Sequence, residues 1–390
     1  MKKEIFFAKL DMNSPMNKGR IVDKQKIEDG VITISWCFKQ GAYTVIAASH
    51  QGRKKEDSLQ AHVKVLEEYF PKRVKFCKNL ESLPSMVRTA KEFDIILLEN
   101  IRSSDEEKKY GDVKKTKLYA TLKKVEKTGS LVYVKDDMPV CHRKDLSVYG
   151  IPMQLKKEGY KILAGPLIEK EMKNIKVAVE KLKKGKIICI WGGAKFDDYI
   201  HLFGPFFDKY HDTVVLTSGP LSVLFLKAYG MDIGENKKKF KITPELVAAA
   251  KGIVEKYDHG HLIVPKDYYI ENHEGNKVSG TGNLDGIVVD IGPKTIEFYK
   301  DILKKHPNFV IIGNGPLGQY ENIQNAKGTI QVYREVFNPA NNNFVIGGGG
   351  DFNAVMKIMG YKPNISSSGG KAFLELLIKG TLPGFEPLGE

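Results

Sequence analysis

Short apolar runs alternate with longer amphipathic stretches along most of this chain. Segments of helix length, such as DSLQAHVKVLEEYF and TIEFYKDILKKH, separate many of the apolar runs. The runs that predict buried strands are YTVIAAS, FDIILLE, SLVYV, KIICIW, TVVLTS, LIVP, GIVVD, FVIIG and FVIGG. Strands that alternate with helices are typical of mostly parallel sheets with helices on both faces. Because there are more predicted strands than one sheet usually contains, we expect two doubly wound α/β domains.

One amphipathic segment, LIEKEMKNIKVAVEKLKKGK, predicts a helix that connects these domains. Its apolar positions recur three or four residues apart, as on one face of a helix, and Gly185 closes it. These positions are Ile168, Met172, Ile175, Val179 and Leu182. We therefore expect a first domain at residues 1–167, a connecting helix at 168–185 and a second domain from residue 186.

Charge changes this picture, because the basic surplus is concentrated in the first domain. The 390-residue chain has a formal net charge of +14, and residues 1–170 contain 34 Lys and Arg against 23 Asp and Glu. A basic surface suits nucleic acid, a membrane surface or a small polyanionic substrate. Much of the surplus is lysine in segments such as KKYGDVKKTKLYATLKKVEK, which also suit a solvated helix face.

Composition argues against several classes of protein. No apolar run approaches membrane-spanning length, and MKKEIFFAKLDMN lacks the apolar stretch of a secretory signal. The four cysteines are scattered without the spacing of metal ligands: Cys37, Cys77, Cys141 and Cys189. We expect reduced thiols, a cytoplasmic protein and no zinc site.

Polar side chains follow the apolar runs of the first domain, at the strand ends where ligands bind in open α/β sheets. They are Asp11 and Asn13 in FFAKLDMNSP, His50 and Arg53 in SHQGR, Asn100 and Arg102 in NIR, and His142 and Arg143 in KDDMPVCHR. Each arginine alone could be a surface residue or a loop anchor. Because three arginines and two histidines recur at strand ends, we expect one rim that binds phosphate or carboxylate.

Glycine-rich turns follow the apolar runs of the second domain instead. They are GGAK after KIICIW, Gly219 after TVVLTS, NGPLG after FVIIG, and IGGGGDFNA (346–354) at the end of FVIGG. Backbone amides at such turns, together with Lys195, suit nucleotide phosphates, and Asp351 suits Mg²⁺. Neither GxxxxGK[ST] nor a GxGxxG after the first strand is present, so the P-loop solution is not predicted.

A basic domain and a glycine-rich domain joined by a helix suit phosphoryl transfer. Closure of such domains would bring two anionic ligands together and exclude water. No Ser-His-Asp arrangement or activated cysteine with a paired base is evident in the sequence. We therefore expect direct in-line transfer without a covalent intermediate.

The chain resembles the phosphoglycerate kinase family, in a divergent, archaeal-type version. The matching motifs run in family order: LDMNSP, ASHQGR, LLENIR, HR at 142–143, AGPLIEKEMKNI, GGAK, DIGPKT, NGPLG with Glu321, GGGD and SSSGGKAFLELL. The resemblance implies a glycolytic and gluconeogenic kinase. Such an enzyme transfers a phosphoryl group reversibly between 1,3-bisphosphoglycerate and MgADP, by hinge closure. It also implies a nucleotide-binding domain at 186–368 and a C-terminal segment, 369–390, that packs back toward the N-terminal domain.

The resemblance also implies roles for individual residues. Those that would bind 3-phosphoglycerate are Asp11, Asn13, Lys26, His50, Arg53, Arg102 and Arg143. Those that would bind the nucleotide are Gly193, Lys195, Gly219, Asn314, Pro316, Glu321, Gly348, Gly349, Gly350 and Asp351, with Asp351 on Mg²⁺. The implied catalytic groups are Lys26, Lys195, Gly350 and Gly369. Lys195 would steady the moving phosphoryl group, and Gly369 and Gly370 would offer N–H groups to it.

Several positions depart from the family pattern. Lys26 stands where the family has a catalytic arginine, and Phe352 where it has threonine or serine. The others are Lys9 in the R-V-D motif, KDDM in place of N-D-A-F, Tyr199 in place of a second lysine, and Lys371 in place of a third glycine. Two alternatives therefore stay open: a kinase for a different phosphorylated acid, and an impaired homologue that binds nucleotide or a polyanion such as RNA. Otherwise we expect small-molecule substrates, no membrane partner, and a monomer or weak dimer.

Overall fold

The computed structural model describes residues 3–52, 54–193, 196–257, 260–272, 275–282, 284–305 and 307–389. The chain divides into two compact units: unit 1 is Met1–Lys173 with Lys379–Glu390, and unit 2 is Asn174–Ile378. The division falls inside the helix Pro166–Lys184, not at the predicted bounds of 167 and 186. Of the predicted C-terminal segment, residues 369–378 belong to unit 2 and the residues from 379 onward belong to unit 1.

Unit 1 is built on a six-stranded parallel sheet. The strands of this unit are β1 (Glu4–Leu10), β2 (Met16–Asn17), β3 (Arg20–Ile21), β4 (Thr44–Ala48), β5 (Val74–Cys77), β6 (Asp94–Leu98), β7 (Ser130–Asp136) and β8 (Lys161–Ala164). The large sheet has the order β5–β6–β4–β1–β7–β8, and β2 and β3 form a short antiparallel ribbon. The four central strands, β6, β4, β1 and β7, are therefore neighbours, and their carboxyl ends share one edge.

Helices cover both faces of this sheet. They are α1 (Gln25–Lys39), α2 (Gln60–Tyr69), α3 (Leu83–Arg88), α4 (Lys117–Val125), α5 (Ile151–Lys157) and α6 (Pro166–Lys184). Helices α1 and α2 share one apolar cluster with Phe6 of β1, whereas α3, α4 and α5 share a second cluster with Phe7. Adjacent residues of a strand point to opposite faces, so both faces of β1 are buried; its buried residues are apolar except Lys9.

Unit 2 contains a second six-stranded parallel sheet, ordered β11–β10–β9–β15–β16–β17. The strands of unit 2 are β9 (Ile187–Trp191), β10 (Thr213–Thr217), β11 (Leu262–Ile263), β12 (Asp267–Asn272), β13 (Gly275–Gly280), β14 (Ile287–Ile291), β15 (Val310–Asn314), β16 (Phe344–Gly348) and β17 (Ile365–Ser367). Its helices are α7 (Phe196–Tyr199), α8 (Phe203–Lys209), α9 (Gly219–Ala228), α10 (Asn236–Lys239), α11 (Pro244–Tyr257), α12 (Pro293–Lys305), α13 (Lys327–Val336), α14 (Gly350–Met359) and α15 (Gly370–Lys379). Both units are thus mostly parallel α/β structures, as predicted. Among the described residues, no helix has the length and apolar character needed to cross a membrane.

The predicted strand GIVVD lies in a separate three-stranded antiparallel sheet, ordered β13–β12–β14. Asp290 of this strand is buried, and its carboxylate accepts hydrogen bonds from the N–H groups of Gly328 (2.7 Å) and Ile291 (2.9 Å). Because β14 pairs with β12 in the antiparallel sense, the prediction of parallel pairing is wrong for this strand. The Asp290 carboxylate joins β14 to the first turn of α13.

Candidate functional site

The predicted acid-binding residues of unit 1 lie at the carboxyl ends of its four central strands. Asp11 and Asn13 follow β1, and His50 follows β4. Arg102 lies in the 3₁₀ turn Ile101–Ser103 after β6, and Arg143 in the turns after β7. Lys26 lies in the first turn of α1, and Arg53 falls outside the described residues.

Asp11 is the hub of this edge. Its carboxylate lies 2.8 Å from Nζ of Lys26 and 3.8 Å from Nε2 of His50. Burial alone would raise the pKa of the Asp11 carboxyl, but the charge and hydrogen bond of Lys26 oppose it, and the net shift is downward. Asp11 is therefore ionised at neutral pH and fixes the ammonium group of Lys26 at the rim.

Asn13 and Arg102 meet at the main chain of Gly52. The Gly52 N–H donates to Oδ1 of Asn13 (2.9 Å), and Nη1 of Arg102 donates to the Gly52 carbonyl oxygen (2.8 Å). The loops after β1, β4 and β6 are thus joined by direct hydrogen bonds. The structure brings together Asp11, Asn13, Lys26, His50 and Arg102.

Arg143 lies close enough to Arg102 for the two charges to interact. Burial lowers the pKa of the Arg102 guanidinium, and the next largest cause of the lowering is the charge of Arg143. Nε of Arg143 donates to Nε2 of His142 over 3.4 Å. Two guanidinium groups held near each other repel, and an anion between them would relieve that repulsion.

His50 is 5% exposed and surrounded by cations. Burial lowers its pKa to about 3, and Lys9, Arg102 and Lys26 act in the same direction, against the opposing charge of Asp11. Because this value lies below the ordinary 6.5, the folded protein resists protonation of His50. The resulting stability is complete above pH 6.5 and is lost as the pH falls toward 3.

We expect His50→Asn to flatten the acid dependence of stability. The wild-type free energy of unfolding should fall by about 2 kcal/mol more than that of the variant between pH 7 and pH 5. Urea titrations at the two pH values measure the difference, with the exposed His211→Asn as control. Buried Glu107 has its pKa raised to about 7 by desolvation, which acts with the opposite sign, but it is present in both proteins and cancels. An unchanged pH slope in His50→Asn would contradict the assignment.

Beneath this edge lies a buried ion cluster of Lys9, Asp137 and Lys135. The Asp137 carboxylate lies 3.1 Å from Nζ of Lys9 and 2.7 Å from Nζ of Lys135, and none of the three side chains is more than 1% exposed. Two positions that depart from the family motifs, in the R-V-D and N-D-A-F segments, therefore contact each other. Buried lysines need such a partner, so these changes are coupled.

The predicted nucleotide residues of unit 2 lie at the carboxyl ends of β9, β10, β15 and β16, and before α15 after β17. Gly193 follows β9; Gly219 opens α9; Asn314 ends β15 and precedes Pro316; Gly348 ends β16; Gly350 and Asp351 open α14; and Gly369 precedes α15. Glu321 lies in an exposed turn after β15. Lys195 falls outside the described residues.

The positive φ of Gly349 explains that glycine, and its neighbours show which segments meet at this edge. A Cβ placed on Gly349 would lie 3.5 Å from Oδ1 of Asn314 and 3.5 Å from Cα of Gly370. Gly349 also has φ +93°, which L-residues rarely adopt. A Cβ on Gly370 would lie 3.6 Å from Oη of Tyr199. The starts of α14 and α15 therefore meet beside Asn314 and Tyr199.

The hydrogen bonds change which N–H groups can face a ligand. Gly349 N–H donates to the carbonyl oxygen of Ser367 (3.1 Å), and Gly369 N–H donates to Oγ of Ser367 (3.0 Å). Of the two predicted N–H donors, Gly369 and Gly370, Gly369 is therefore engaged within the protein, as is the N–H of Gly349. The first turns of α14 and α15, from Gly350 and Gly370 onward, are places where main-chain N–H groups have no intrahelical partner.

Asp351 and Glu321 both lie near the Tyr320 phenol. Burial raises the pKa of Tyr320, and the charges of Asp351 and Glu321 raise it further. Asp351 is exposed in the first turn of α14, where the helix dipole favours negative charge. Within the described residues, no group of three or more His, Cys, Asp or Glu side chains could hold a metal ion.

Phe352 faces the core and not the glycine turn. It is 1% exposed and packs edge-on against Tyr333, with ring centroids 5.5 Å apart. A Cβ on Gly313 or Gly347 would lie 2.2 Å or 1.9 Å from its ring. The departure at this position therefore fills a space that two strand glycines leave open.

Sequence reasoning missed Gln51, Tyr320 and the partnership of Lys9 with Asp137. Gln51 lies inside the quoted motif SHQGR, between His50 and Gly52, so its position was a usable sign. The contact between Lys9 and Asp137 joins residues far apart in the chain, and nothing in the local sequence marks it.

Comparison with known proteins gives a consistent result. The family model described as phosphoglycerate kinase matches residues 1–380. A phosphoglycerate kinase of Clostridium botulinum (strain 657 / Type Ba4) is 31% identical over 405 residues, covering 98% of this chain and 95% of the relative. One of Lactobacillus helveticus is 32% identical over 398 residues, with 97% and 94% coverage.

Solved structures agree with these relatives. The phosphoglycerate kinase of Pyrococcus horikoshii OT3 aligns with a TM-score of 0.83 and 26% identity, over 100% of this chain and 96% of its own. That of Coxiella burnetii aligns with a TM-score of 0.71 and 25% identity, with the same coverage.

Proposed function

Because this chain belongs to the phosphoglycerate kinase family, we propose that unit 1 binds 3-phosphoglycerate and unit 2 binds the adenine nucleotide. The reaction is reversible phosphoryl transfer between the acyl phosphate of 1,3-bisphosphoglycerate and MgADP. The observation that carries the assignment of the acid to unit 1 is the presence of Arg102 and Arg143 at the carboxyl edge of its sheet, near enough for the charge of Arg143 to lower the pKa of the Arg102 guanidinium. A phosphorylated acid offers two anionic groups to such an edge, and guanidinium forks suit both.

In unit 1, each side chain has a distinct task in this proposal. Arg102 and Arg143 bind the anionic groups of the acid, while neutral His50 donates or accepts a hydrogen bond. Asn13 holds the Gly52 loop in place through its bond to the Gly52 N–H. Asp11 orients Lys26, whose ammonium group neutralises charge on the transferred group. Arg53 belongs to the same set by its sequence position.

In unit 2, the first turns of α14 and α15 supply positive ends of helix dipoles toward the nucleotide phosphates. Gly193, Gly219 and Pro316 line the same edge of the sheet. Glu321 suits the ribose hydroxyl groups. Lys195, placed by sequence after β9, would steady the transferred phosphoryl group.

The donor set suits a magnesium ion that is held mainly by its nucleotide. Mg²⁺ in kinases is bound through one or two carboxylates together with substrate phosphates and water. Asp351, exposed at the start of α14, is a carboxylate of this kind. When bound, the ion neutralises phosphate charge; the residues of the chain orient the nucleotide and exclude water.

The transfer itself is proposed to be direct and in line. The two ligands bind to different units, so they meet by motion of one unit relative to the other. Positioning and positive charge supply the catalysis, and the transfer needs no nucleophile from the protein. We also propose a cytoplasmic location, which suits four cysteines that are all free and buried.

Turnover tests this proposal. Purified protein is given MgATP and 3-phosphoglycerate, and a coupled dehydrogenase reduces the acyl phosphate with NADH. We expect NADH oxidation that requires both substrates. MgADP binding without product would contradict the proposed activity, and strong salt-dependent RNA binding without turnover would favour a polyanion-binding homologue.

A second candidate function is a kinase for a different phosphorylated acid. It is favoured by the coupled changes at Lys9, Lys135 and Asp137 beneath the acid site. Comparison of kcat/KM across several phosphorylated hydroxy acids decides between the two. We expect the highest value with 3-phosphoglycerate.

Lys26 offers a direct test of the transfer step. Lys26→Met should lower kcat by about tenfold or more, because it removes a charge-assisted contact to the transferred group. Lys26→Arg should keep or raise kcat, since a guanidinium can bind Asp11 and phosphoryl oxygens together. Steady-state kinetics with both substrates measures kcat, and a Lys26→Met variant with wild-type kcat would rule out this role.

A further inference from the structure

Two buried amide side chains tie together the three loops that carry the proposed acid site. Gln51 follows His50 in the loop after β4, and Asn100 begins the turn that carries Arg102 after β6. Gln51 is 5% exposed and Asn100 is 1% exposed. Both side chains are uncharged and buried, so any effect that they have on a ligand acts through the loops that they hold.

The Gln51 side chain binds the main chain of Ser14 in both directions. Its Oε1 accepts from the Ser14 N–H (3.1 Å), and its Nε2 donates to the Ser14 carbonyl oxygen (2.8 Å). The Gln51 main chain is held in the same way: its N–H donates to Oδ1 of Asn100 (3.1 Å), and its carbonyl oxygen accepts from Nδ2 of Asn100 (2.8 Å). Four hydrogen bonds therefore converge on Gln51.

The residues next to these bonds are the proposed acid ligands. Asn13 immediately precedes Ser14, and its Oδ1 accepts from the Gly52 N–H (2.9 Å). The Arg102 N–H donates to Oδ1 of Asn100 (3.1 Å), and its guanidinium donates to the Gly52 carbonyl oxygen (2.8 Å). A shift of Gln51 would move Asn13, His50 and Arg102 relative to one another.

We propose that Gln51 is a positioning residue that sets the affinity of unit 1 for 3-phosphoglycerate. This inference rests on the proposed assignment of the acid to unit 1. An apolar side chain of similar length would leave both Ser14 main-chain groups buried and unpaired, and the loop after β1 would move to satisfy them. A small displacement of Arg102 would weaken binding of the acid, because the N–H donors of its guanidinium must be aligned with the oxygens of a planar carboxylate.

The test compares Gln51→Met with wild type by steady-state kinetics. We expect KM for 3-phosphoglycerate to rise about tenfold, KM for MgATP to stay within twofold and kcat to stay within threefold. Gln51→Glu keeps the shape of the side chain but loses the donor to Ser14 and adds a negative charge, so its KM for the acid should rise further. Gln51→Glu also replaces Gln51→Met as the test variant if Gln51→Met does not fold.

Thr44→Val is the matched structural control. Oγ1 of buried Thr44 donates to the Asp94 carbonyl oxygen (2.7 Å) at the other end of the same strand, β4. We expect it to lower the melting temperature without changing either KM. If Gln51→Met behaves in the same way, or raises both KM values together, Gln51 is only structural and the inference is overturned.

Calorimetric titration with 3-phosphoglycerate separates this inference from the proposed function. A wild-type chain that binds the acid without turnover would contradict the proposed activity, yet a tenfold weaker binding by Gln51→Met would still support the positioning role. A wild-type chain that turns over while Gln51→Met binds the acid normally would contradict the inference alone. A chain that does not bind the acid would contradict both.

Discussion

Replacing Arg102 with methionine should raise the KM for 3-phosphoglycerate about 100-fold, equivalent to about 2.7 kcal/mol. The guanidinium is half-buried, lies near Arg143 and donates to the carbonyl oxygen of Gly52. Its loss removes a charge-assisted contact to the acid and also frees the Gly52 loop. Steady-state kinetics with varied 3-phosphoglycerate measures the effect, and KM for MgATP should stay within twofold.

Two variants show whether charge or geometry carries this effect. Arg102→Lys keeps the charge but loses the planar fork, so we expect an intermediate rise of about tenfold. Arg88→Met removes an exposed arginine at the end of α3 and should leave both KM values unchanged. A KM for Arg102→Met within threefold of wild type would place the acid elsewhere.

Gly347→Ala should destabilise the protein by about 3 kcal/mol, the upper end expected for overpacking a core. The added Cβ would lie 1.9 Å from Cε1 and 2.5 Å from Cδ1 of Phe352. The ring cannot retreat easily, because Gly313 packs closely against it and Tyr333 lies beside it. Urea unfolding measures the loss of stability.

Gly350, the last glycine of the same run, provides the control. A Cβ on Gly350 meets nothing within 4 Å, and Gly350 opens α14 without a positive φ. Gly350→Ala should therefore change stability by less than about 1 kcal/mol. Combining Gly347→Ala with Phe352→Ala should cost less than the sum of the two single changes, since the clash disappears. Wild-type stability in Gly347→Ala would contradict the packing argument.

Much of the fold could be predicted because buried parallel strands are apolar on both faces. The runs YTVIAAS, FDIILLE and SLVYV form β4, β6 and β7 of one sheet. The hairpin of β12 and β13 was not singled out, since its segments, DYYIEN and GNKVSG, are largely polar. GIVVD pairs with that hairpin in an antiparallel sheet, so the prediction that it forms a strand is confirmed and the prediction that it belongs to a parallel sheet is wrong.

The positions of the candidate sites could be predicted from the order of the strands more than from any single motif. Ligand groups at carboxyl strand ends meet when the strands are neighbours, and β6, β4, β1 and β7 are neighbours. What the sequence could not provide was the pairing of distant positions. Gln51 with Ser14, Lys9 with Asp137, and Phe352 with two glycines are contacts between segments that only the folded chain brings together.

The ring of Phe352 also bears on how this family should be compared by sequence. Gly313, Gly347 and Phe352 form a set in which each single change is harmful: a larger strand residue clashes, and a smaller residue in place of the ring leaves a void. In relatives with an aromatic residue at this position, an invariant first glycine of the run would therefore report core packing, and only the later glycines would report selection for a nucleotide.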